Sequence, residues 1–401
     1  MSLILLLFFF LSAWVGHGYL LMLSLNVAFS QPYHRKLLKL MRNSWGILLV
    51  AGPPLFAAFV EWDLVKLART AFADGSFVVA AAYAWVCIVV GAVVFPAVTV
   101  WRLSRRSPDL VLDERTETVD VSKELGHRPV GDGKFRRLAA LPVTDIFRVD
   151  FTTISLAVPG LPAAWDGLTI LHLSDTHFYG TPGRELFEFV VRRCMADGVP
   201  DLFVFSGDLL DDGKYLDWIE PVFGGLKWNV AAFAILGNHD WWQDFDAIRK
   251  RLGGLGIKVL DNRWEAVDVR GERLVAIGHE GPWFRPPPDM AACPDGFRLL
   301  ISHTPDNIGW AKRHDCRLML SGHNHGGQIR VPVFGSLFVP SKFSRRYDMG
   351  TFHEPPTVLH VNRGLGEKEP LRVRCRPQVS RLILRVAASS PGPVMPMVTG
   401  K

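Results

Sequence analysis

LTILHLSDTH occupies residues 168–177. Its first seven residues are mostly apolar or β-branched and show no helical period. A short apolar run of this length reads as a buried strand. The run stops at Asp175-Thr176-His177. On a strand, alternation puts His172 on the face of Ser174 and opposite Asp175, so His172 reads as structural. Polar groups set directly after a buried strand are either satisfied core groups or the start of a site. One Asp-x-His decides neither, and the rest of the chain has to.

The arrangement recurs. DLFVFS (201–206) leads into Gly207-Asp208 and then Asp211; AAFAIL (231–236) leads into Gly237-Asn238-His239-Asp240. RLLIS (298–302) leads into His303, and RLML (317–320) into SGHNHGGQI, with His323 and His325. Helical patterns cover 185–195 and 244–252, residues 265–269 and 273–277 read as a hairpin around Gly271, and 147–162 alternate as a strand. These elements predict an α/β domain with much sheet. Sites in open α/β sheets form at the carboxyl ends of strands. Each polar group alone is readily a core group. Five in series, each directly after an apolar strand, are not. His323 and His325 fit the same logic: residues two apart share a side on a strand but not on a helix.

The chain has 401 residues, 49% of them hydrophobic, which is enough for more than one domain. The apolar residues gather at the N-terminus. No Asp, Glu, Lys or Arg precedes Arg35, and residues 43–60 and 75–101 are also free of charge. A membrane helix needs roughly 20 predominantly apolar residues. The first and third segments meet that length. The second is shorter, carries Pro53-Pro54 and reads as a kinked or re-entrant span. Residues 1–102 are thus expected to hold about three transmembrane helices. The first segment lacks a basic start and is too long for a signal-peptide core, so it reads as a retained helix.

Arg35, Lys36, Lys39 and Arg42 follow the first segment, and Arg102, Arg105 and Arg106 the third. Lys66 and Arg69 follow the second, beside Glu61, Asp63 and Asp74. The basic loops belong on the cytoplasmic side, which puts the N-terminus outside and everything beyond residue 101 in the cytoplasm. If the second segment does not span, the large domain changes side. Residues 103–146 read as a linker, 147–388 as the α/β domain and 389–401 as a disordered tail. Cys87, Cys194, Cys293, Cys316 and Cys375 show no CxxC or ladder spacing and read as core residues or free thiols. The net charge of +6 partly reflects the juxtamembrane clusters, which suit anionic membrane lipids. No nucleic-acid motif accompanies it.

The series SDTH, SGDLLDD, LGNHD, SHTPD and SGHNHGGQI resembles the five-block signature of the calcineurin-like metallophosphoesterases. The resemblance spans roughly 168–330. With SRRYDMG (344–350) and VNRGLG (361–366), the last block resembles the YkuE-like, membrane-anchored branch of that superfamily. It implies a four-layer α-β-β-α sandwich, preceded here by the transmembrane helices.

The resemblance also implies a dinuclear centre. Asp175, His177 and His325 would hold one divalent metal, Asn238, His303 and His323 the other, and Asp208 would bridge them. The mixed His and Asp/Asn set suits Mn, Fe or Zn. A metal-activated hydroxide would attack phosphorus in line, with His239 protonating the leaving group or stabilising the transition state. Asp211 matches the position that orients this histidine, with Asp212 and Asp240 as alternatives and a helix N-cap as an equally good reading.

The implied activity is hydrolysis of a phosphodiester or pyrophosphate, on a lipid-linked substrate if the anchor confines the site to the bilayer. UDP-diacylglucosamine, cleaved by some members of the wider superfamily, is one candidate. A protein phosphatase and a non-catalytic metal-binding membrane protein are the alternatives. The filled ligand positions favour the enzyme. Trp241, Trp242, Trp283 and Phe284 read as core or as an apolar substrate wall. His279 reads as a surface-loop residue that could touch substrate, and Arg345, Arg346 and Arg363 as phosphate contacts or solvated groups.

Overall fold

The computed structural model describes residues 3–59 and 78–387. The second loop, with Glu61, Asp63 and Asp74, and the expected tail at 389–401 lie outside the described residues. The chain divides into two compact units. The first is 1–106, 326–348 and 373–375; the second is 107–325, 349–372 and 376–401.

The first unit contains α1 (Leu3–Phe29), α2 (Arg35–Phe59), α3 (Val78–Val89), a π-helical turn (Val90–Val94) and α4 (Phe95–Ser104). Ile4, Phe8 and Leu11 of α1 and Val79, Val86 and Val93 of the third stretch are exposed. An apolar exterior of this kind suits a lipid solvent. Among the described residues two helices, Leu3–Phe29 and Ala81–Ser104, are long and apolar enough to cross a membrane. The second apolar segment is a helix too, but α2 starts at Arg35, ahead of the charge-free stretch, and basic first turns interrupt its apolar length. Small residues allow close helix approach where α1 meets the third stretch. A Cβ on Gly16 would lie 1.8 Å from the Cys87 carbonyl oxygen, and one on Gly91 1.9 Å from that of Ser12.

Residues 326–348 belong to the same unit. Arg102, at the end of α4, donates to Asp348 (2.8 Å), to Ser336 (3.2 Å) and to the carbonyl of Arg345 (3.1 Å). Asn26 is buried in α1; it donates to Ser344 Oγ (2.9 Å) and accepts from the amide of Val339 (3.0 Å). Arg102, expected among lipid-facing charges, therefore holds a buried carboxylate instead.

Two sheets build the second unit. The seven-stranded sheet runs β1 (Val111–Asp120), β2 (Arg148–Val158), β13 (Gln378–Val386), β3 (Thr169–Leu173), β4 (Leu202–Ser206), β5 (Ala231–Ile235), β6 (Lys258–Val259). From β3 to β6 the neighbours are parallel; β13 is parallel to β2 and antiparallel to β3. The six-stranded sheet runs β11 (Gly350–Glu354), β12 (Thr357–Val361), β10 (Leu318–Ser321), β9 (Phe297–Ser302), β8 (Glu272–His279), β7 (Trp264–Val269). Its four central strands are parallel and its edges antiparallel.

The cores follow from strand alternation. In β4, Leu202 and Val204 join an inner cluster with Phe233, Ala276, Leu299, Ile301 and Leu318, contributed by both sheets. Phe203 and Phe205 point the other way, into a cluster with Phe187, Val190 and Val191 of α5 (Arg184–Ala196). α6 (Ile219–Phe223) and α7 (Phe245–Gly254) join that outer cluster. Strands buried on both faces read as continuous apolar runs, which is why these were legible. On the far side α8 (Ile308–Arg313) buries Ile308 and Ala311 and contacts β12. The α-β-β-α order of layers is thus present, with one short helix as its last layer.

Residues 103–146 are not a bare linker. They contribute β1, paired with β2 from Val111 to Asp120, and two short helices at Val121–Leu125 and Arg136–Ala139. β1 is an exposed edge rich in charge, the composition that keeps an edge strand from pairing further and that reads as loop in a sequence.

Candidate metal centre

β3, β4 and β5 of one sheet and β9 and β10 of the other end in the residues singled out from the sequence. Asp175, His177, Asp208, Asn238, His303 and His323 are buried there, and His325 is half-buried. The backbone turns sharply at these ends. Five of the residues have left-handed φ: Asp175 (53°), His177 (44°), Asp208 (58°), His323 (69°) and His325 (48°). Such angles are uncommon away from glycine and cluster at functional sites, where surrounding contacts hold them.

The donor atoms fall into three overlapping groups: Asp175, His177 and His325; Asp208, His303 and His323; and a third that joins His177 and Asp208 to His239. In the first, the Nε2 atoms of His177 and His325 are 3.1 Å apart, and Asp175 Oδ1 lies 3.5 Å from His325 Nε2 and 3.9 Å from His177 Nε2. In the second, His303 Nε2 lies 3.1 Å from His323 Nδ1, 3.1 Å from Asn238 Oδ1 and 3.2 Å from Asp208 Oδ2. Asp208 Oδ2 is also 3.6 Å from His177 Nε2, so its carboxylate borders both groups. Ligand bonds of ~2.0–2.2 Å meeting near a right angle bring donors to ~3 Å of one another. The nitrogen pairs have that spacing, and their nitrogen and oxygen donors suit borderline divalent cations. The residues therefore fit a metal centre. His323 presents Nδ1 and His325 presents Nε2, each to a different group.

Asp211 joins two histidines. Its Oδ2 accepts from His177 Nδ1 at 2.9 Å, and its Oδ1 pairs with Nδ1 of His239. The alternatives separate cleanly. Asp212 caps a short 3-10 helix through the Lys214 amide, and Asp240 accepts the amides of Leu209 (2.9 Å), Leu210 (3.2 Å) and Gly237 (2.9 Å). The N-cap reading belongs to Asp212, one residue on.

The electrostatics are those of a mutually charged cluster. Burial by itself would lower His177, but Asp211, Asp208 and Asp175 outweigh it and push its pKa up to about 9. His303 is likewise pulled down by burial and pushed up to about 9 by Asp208 and Asp175. Burial raises Asp208, yet His303 and His239 hold it well below the ordinary carboxylate range. The buried carboxylates thus demand positive charge, as protons or as cations.

Supporting groups complete the picture. A Cβ on Gly237 would lie 2.2 Å from Asp208 Oδ1, so only glycine fits there. Trp283 is buried with its ring 5.7 Å from His303 and 5.0 Å from His323, and Trp242 sits 5.3 Å from His239. Phe284 packs on Phe245 in the helix-side core and Trp241 on Trp242. His172 is fully buried beside Ser206 Oγ at 2.9 Å, as its strand register predicts. His279 is not on a surface loop: it is buried at the end of β8, accepts from the Gly281 amide and packs on Trp310. Arg363 is committed to Asp150 and Gln378. Arg372 escaped sequence reasoning. It is fully buried in an ion pair with Glu367, with Nη2 3.3 Å from His325 Nδ1, and no local pattern announces it.

Residues 168–327 match the family model described as calcineurin-like phosphoesterase. The chain is 26% identical over 284 residues to the uncharacterized metallophosphoesterase YkuE of Bacillus subtilis (strain 168), covering 66% of this chain and 99% of that protein. It is 31% identical over 226 residues to phosphodiesterase YaeI of Escherichia coli (strain K12), covering 54% and 81%. A transmembrane protein with metallophosphoesterase domain from Danio rerio is 28% identical over 290 residues, covering 64% and 65%.

Proposed function

We propose, from the premise that the chain belongs to the calcineurin-like phosphoesterase family and is a metal-dependent phosphoester hydrolase, that it is anchored in the membrane and hydrolyses a phosphodiester or pyrophosphate of a lipid-linked substrate. In this reading Asp175, His177 and His325 would hold one cation and Asn238, His303 and His323 the second, with the Asp208 carboxylate available to both. The bound cations, Mn, Fe or Zn, would supply Lewis-acid stabilisation of the phosphoryl group and activation of water. The chain's own residues do the rest. Asp208 lends a carboxylate between the donor groups and accepts the His239 amide at 2.8 Å. Asp211 holds the Nδ1 proton of His239, which leaves Nε2 to meet the leaving oxygen. Trp242 limits the swing of that ring.

The observation that carries the reading is the division of labour at Asp211: one oxygen on His177, in the donor cluster, and one on His239, whose side chain is the more open at 20% exposed. The lipid linkage is motivated by the two apolar helices and by the transmembrane relative. Purified full-length protein should be assayed in parallel on a lipid pyrophosphate such as UDP-diacylglucosamine, a phospholipid, a nucleotide diester and a phosphoprotein. Turnover of the lipid substrates well above the others is expected. Preference for the phosphoprotein would make it a protein phosphatase, and inactivity on all four with metal bound would favour a non-catalytic role. The basic loops support a cytoplasmic catalytic domain on the condition that α2 spans; its digestion by protease added outside right-side-out vesicles would reverse that topology.

A further inference from the structure

The first unit holds a half-open pocket of about 200 Å³ that the hydrolase reading does not use. Most of its wall is apolar, with Val15, Met22 and Leu23 of α1, Leu49 of α2 and Leu337. One end is different. Ser344 and Arg345 line it there, beside Tyr19 and Phe95. Arg345 is 5% exposed. Its Nη1 donates to the carbonyls of Phe334 and Ser336, both at 3.0 Å. Its Nη2 is buried and has no hydrogen-bond partner. The guanidinium carbon lies 5.9 Å from the ring centroids of both Tyr19 and Phe95, within range of a cation–π contact.

An unmatched buried charge is costly, and among the described residues none supplies the missing anion. Asp348 is the only carboxylate among the described residues of this unit, and it is taken by Arg102 (2.8 Å), Arg330 (3.0 Å) and Ser336 (2.7 Å). Burial pulls the Arg345 guanidinium down and the charge of Arg102 adds to that, as expected for a cation lacking its counter-ion. A dry apolar cavity of roughly 150 Å³ takes a benzene-sized group. This one is larger, yet far too small for a whole lipid.

We propose that the cavity binds one anionic phospholipid, its phosphate on Arg345 Nη2 and Ser344 and a segment of one acyl chain between α1 and α2. The polar end matches a phosphate, since guanidinium donors suit its oxygens. The apolar end matches hydrocarbon. The site belongs to the membrane unit alone and does not rest on the identity of the hydrolysed ester.

Full-length protein in detergent, titrated with phosphatidylglycerol or phosphatidylcholine and read by native mass spectrometry, tests it. Phosphatidylglycerol should be retained about tenfold more tightly, because both lipids offer a phosphate but the choline cation of phosphatidylcholine brings a second positive charge beside Arg345. Arg345→Gln should abolish the preference. Because that change also frees two loop carbonyls, Leu23→Trp is the second variant: it fills the cavity, keeps the guanidinium and should weaken phosphatidylglycerol to the level of phosphatidylcholine. Asp208→Asn should bind the lipid as the parent does, so loss of hydrolysis and loss of lipid are read separately. Equal retention of the two lipids, a preference that survives Leu23→Trp, or displacement of phosphatidylglycerol by inorganic phosphate at equal concentration would each overturn the proposal.

Discussion

Asp211 accepts a hydrogen bond from Nδ1 of His177 at 2.9 Å. The same carboxylate pairs through its other oxygen with His239. A group that orients both a candidate ligand and a candidate proton donor should affect both roles when changed. Asp211→Asn is expected to lower metal affinity about 10–100-fold, the usual effect of removing a ligand's supporting carboxylate. Turnover at saturating metal should fall as well. Metal titration followed by kcat at full occupancy separates the two losses. A variant with unchanged metal affinity would confine Asp211 to His239.

His239→Ala should behave differently. The ring also borders His177 and Asp208, but Asp211 engages its Nδ1 and it is not assigned as a ligand, so bound metal should stay close to the parent's while kcat drops about 10²–10⁴-fold, the range for general acid–base groups. Elemental analysis beside kinetics decides this. Full activity in the variant would remove His239 from the mechanism.

Asp208→Asn is expected to lose both properties together. Its Oδ2 lies 3.2 Å from His303 Nε2 and 3.6 Å from His177 Nε2, so replacing one oxygen disturbs both donor groups. Hydrolysis should vanish and metal content fall. Two metals retained with normal turnover would mean that the site is assigned wrongly.

Gly237→Ala tests the backbone instead of a donor. The added Cβ would sit 2.2 Å from Asp208 Oδ1 and 2.6 Å from its amide nitrogen. Neither atom has room to move, since Asp208 is 1% exposed. The variant should fold less stably and bind metal weakly, measurable by thermal melting with and without added metal. Melting and metal binding equal to the parent's would show that the loop can relax.

Glu280 predicts a pH effect. Burial pushes its pKa up to about 7, against the pull of Arg249 and the Leu236 amide. The ordinary value is 4.5, so the folded state holds this proton more tightly than the unfolded chain. The stabilising contribution is therefore complete below about pH 4.5 and is lost as pH rises through about 7, by roughly 3 kcal/mol in all. Glu280→Gln should become more stable relative to the parent as pH rises from 5 to 8, in paired denaturation experiments. An unchanged difference across that range would show that Arg249 keeps Glu280 ionised.

Much of the second unit was legible from local pattern. β3, β4, β5, β9 and β10 are buried on both faces, so each appears as an apolar run ended by a polar group. The candidate ligands were legible for the same reason, because each follows its strand directly. β1 was not, since a charged edge strand has no apolar face to announce it. Asp211 stood level with Asp212 and Asp240, because three carboxylates within a few residues differ only in what they meet in space.

By itself the sequence determined the family, the strand ends that carry donors and the apolar helices that precede them, all properties of residue type and spacing along the chain. Only the tertiary structure decided which imidazole nitrogen faces which group, that Asp211 spans His177 and His239, that β13 enters between β2 and β3, and that Arg345 is buried with a nitrogen unmatched. Those depend on contacts between residues tens to hundreds of positions apart, where burial and direction, which no local pattern encodes, set the chemistry.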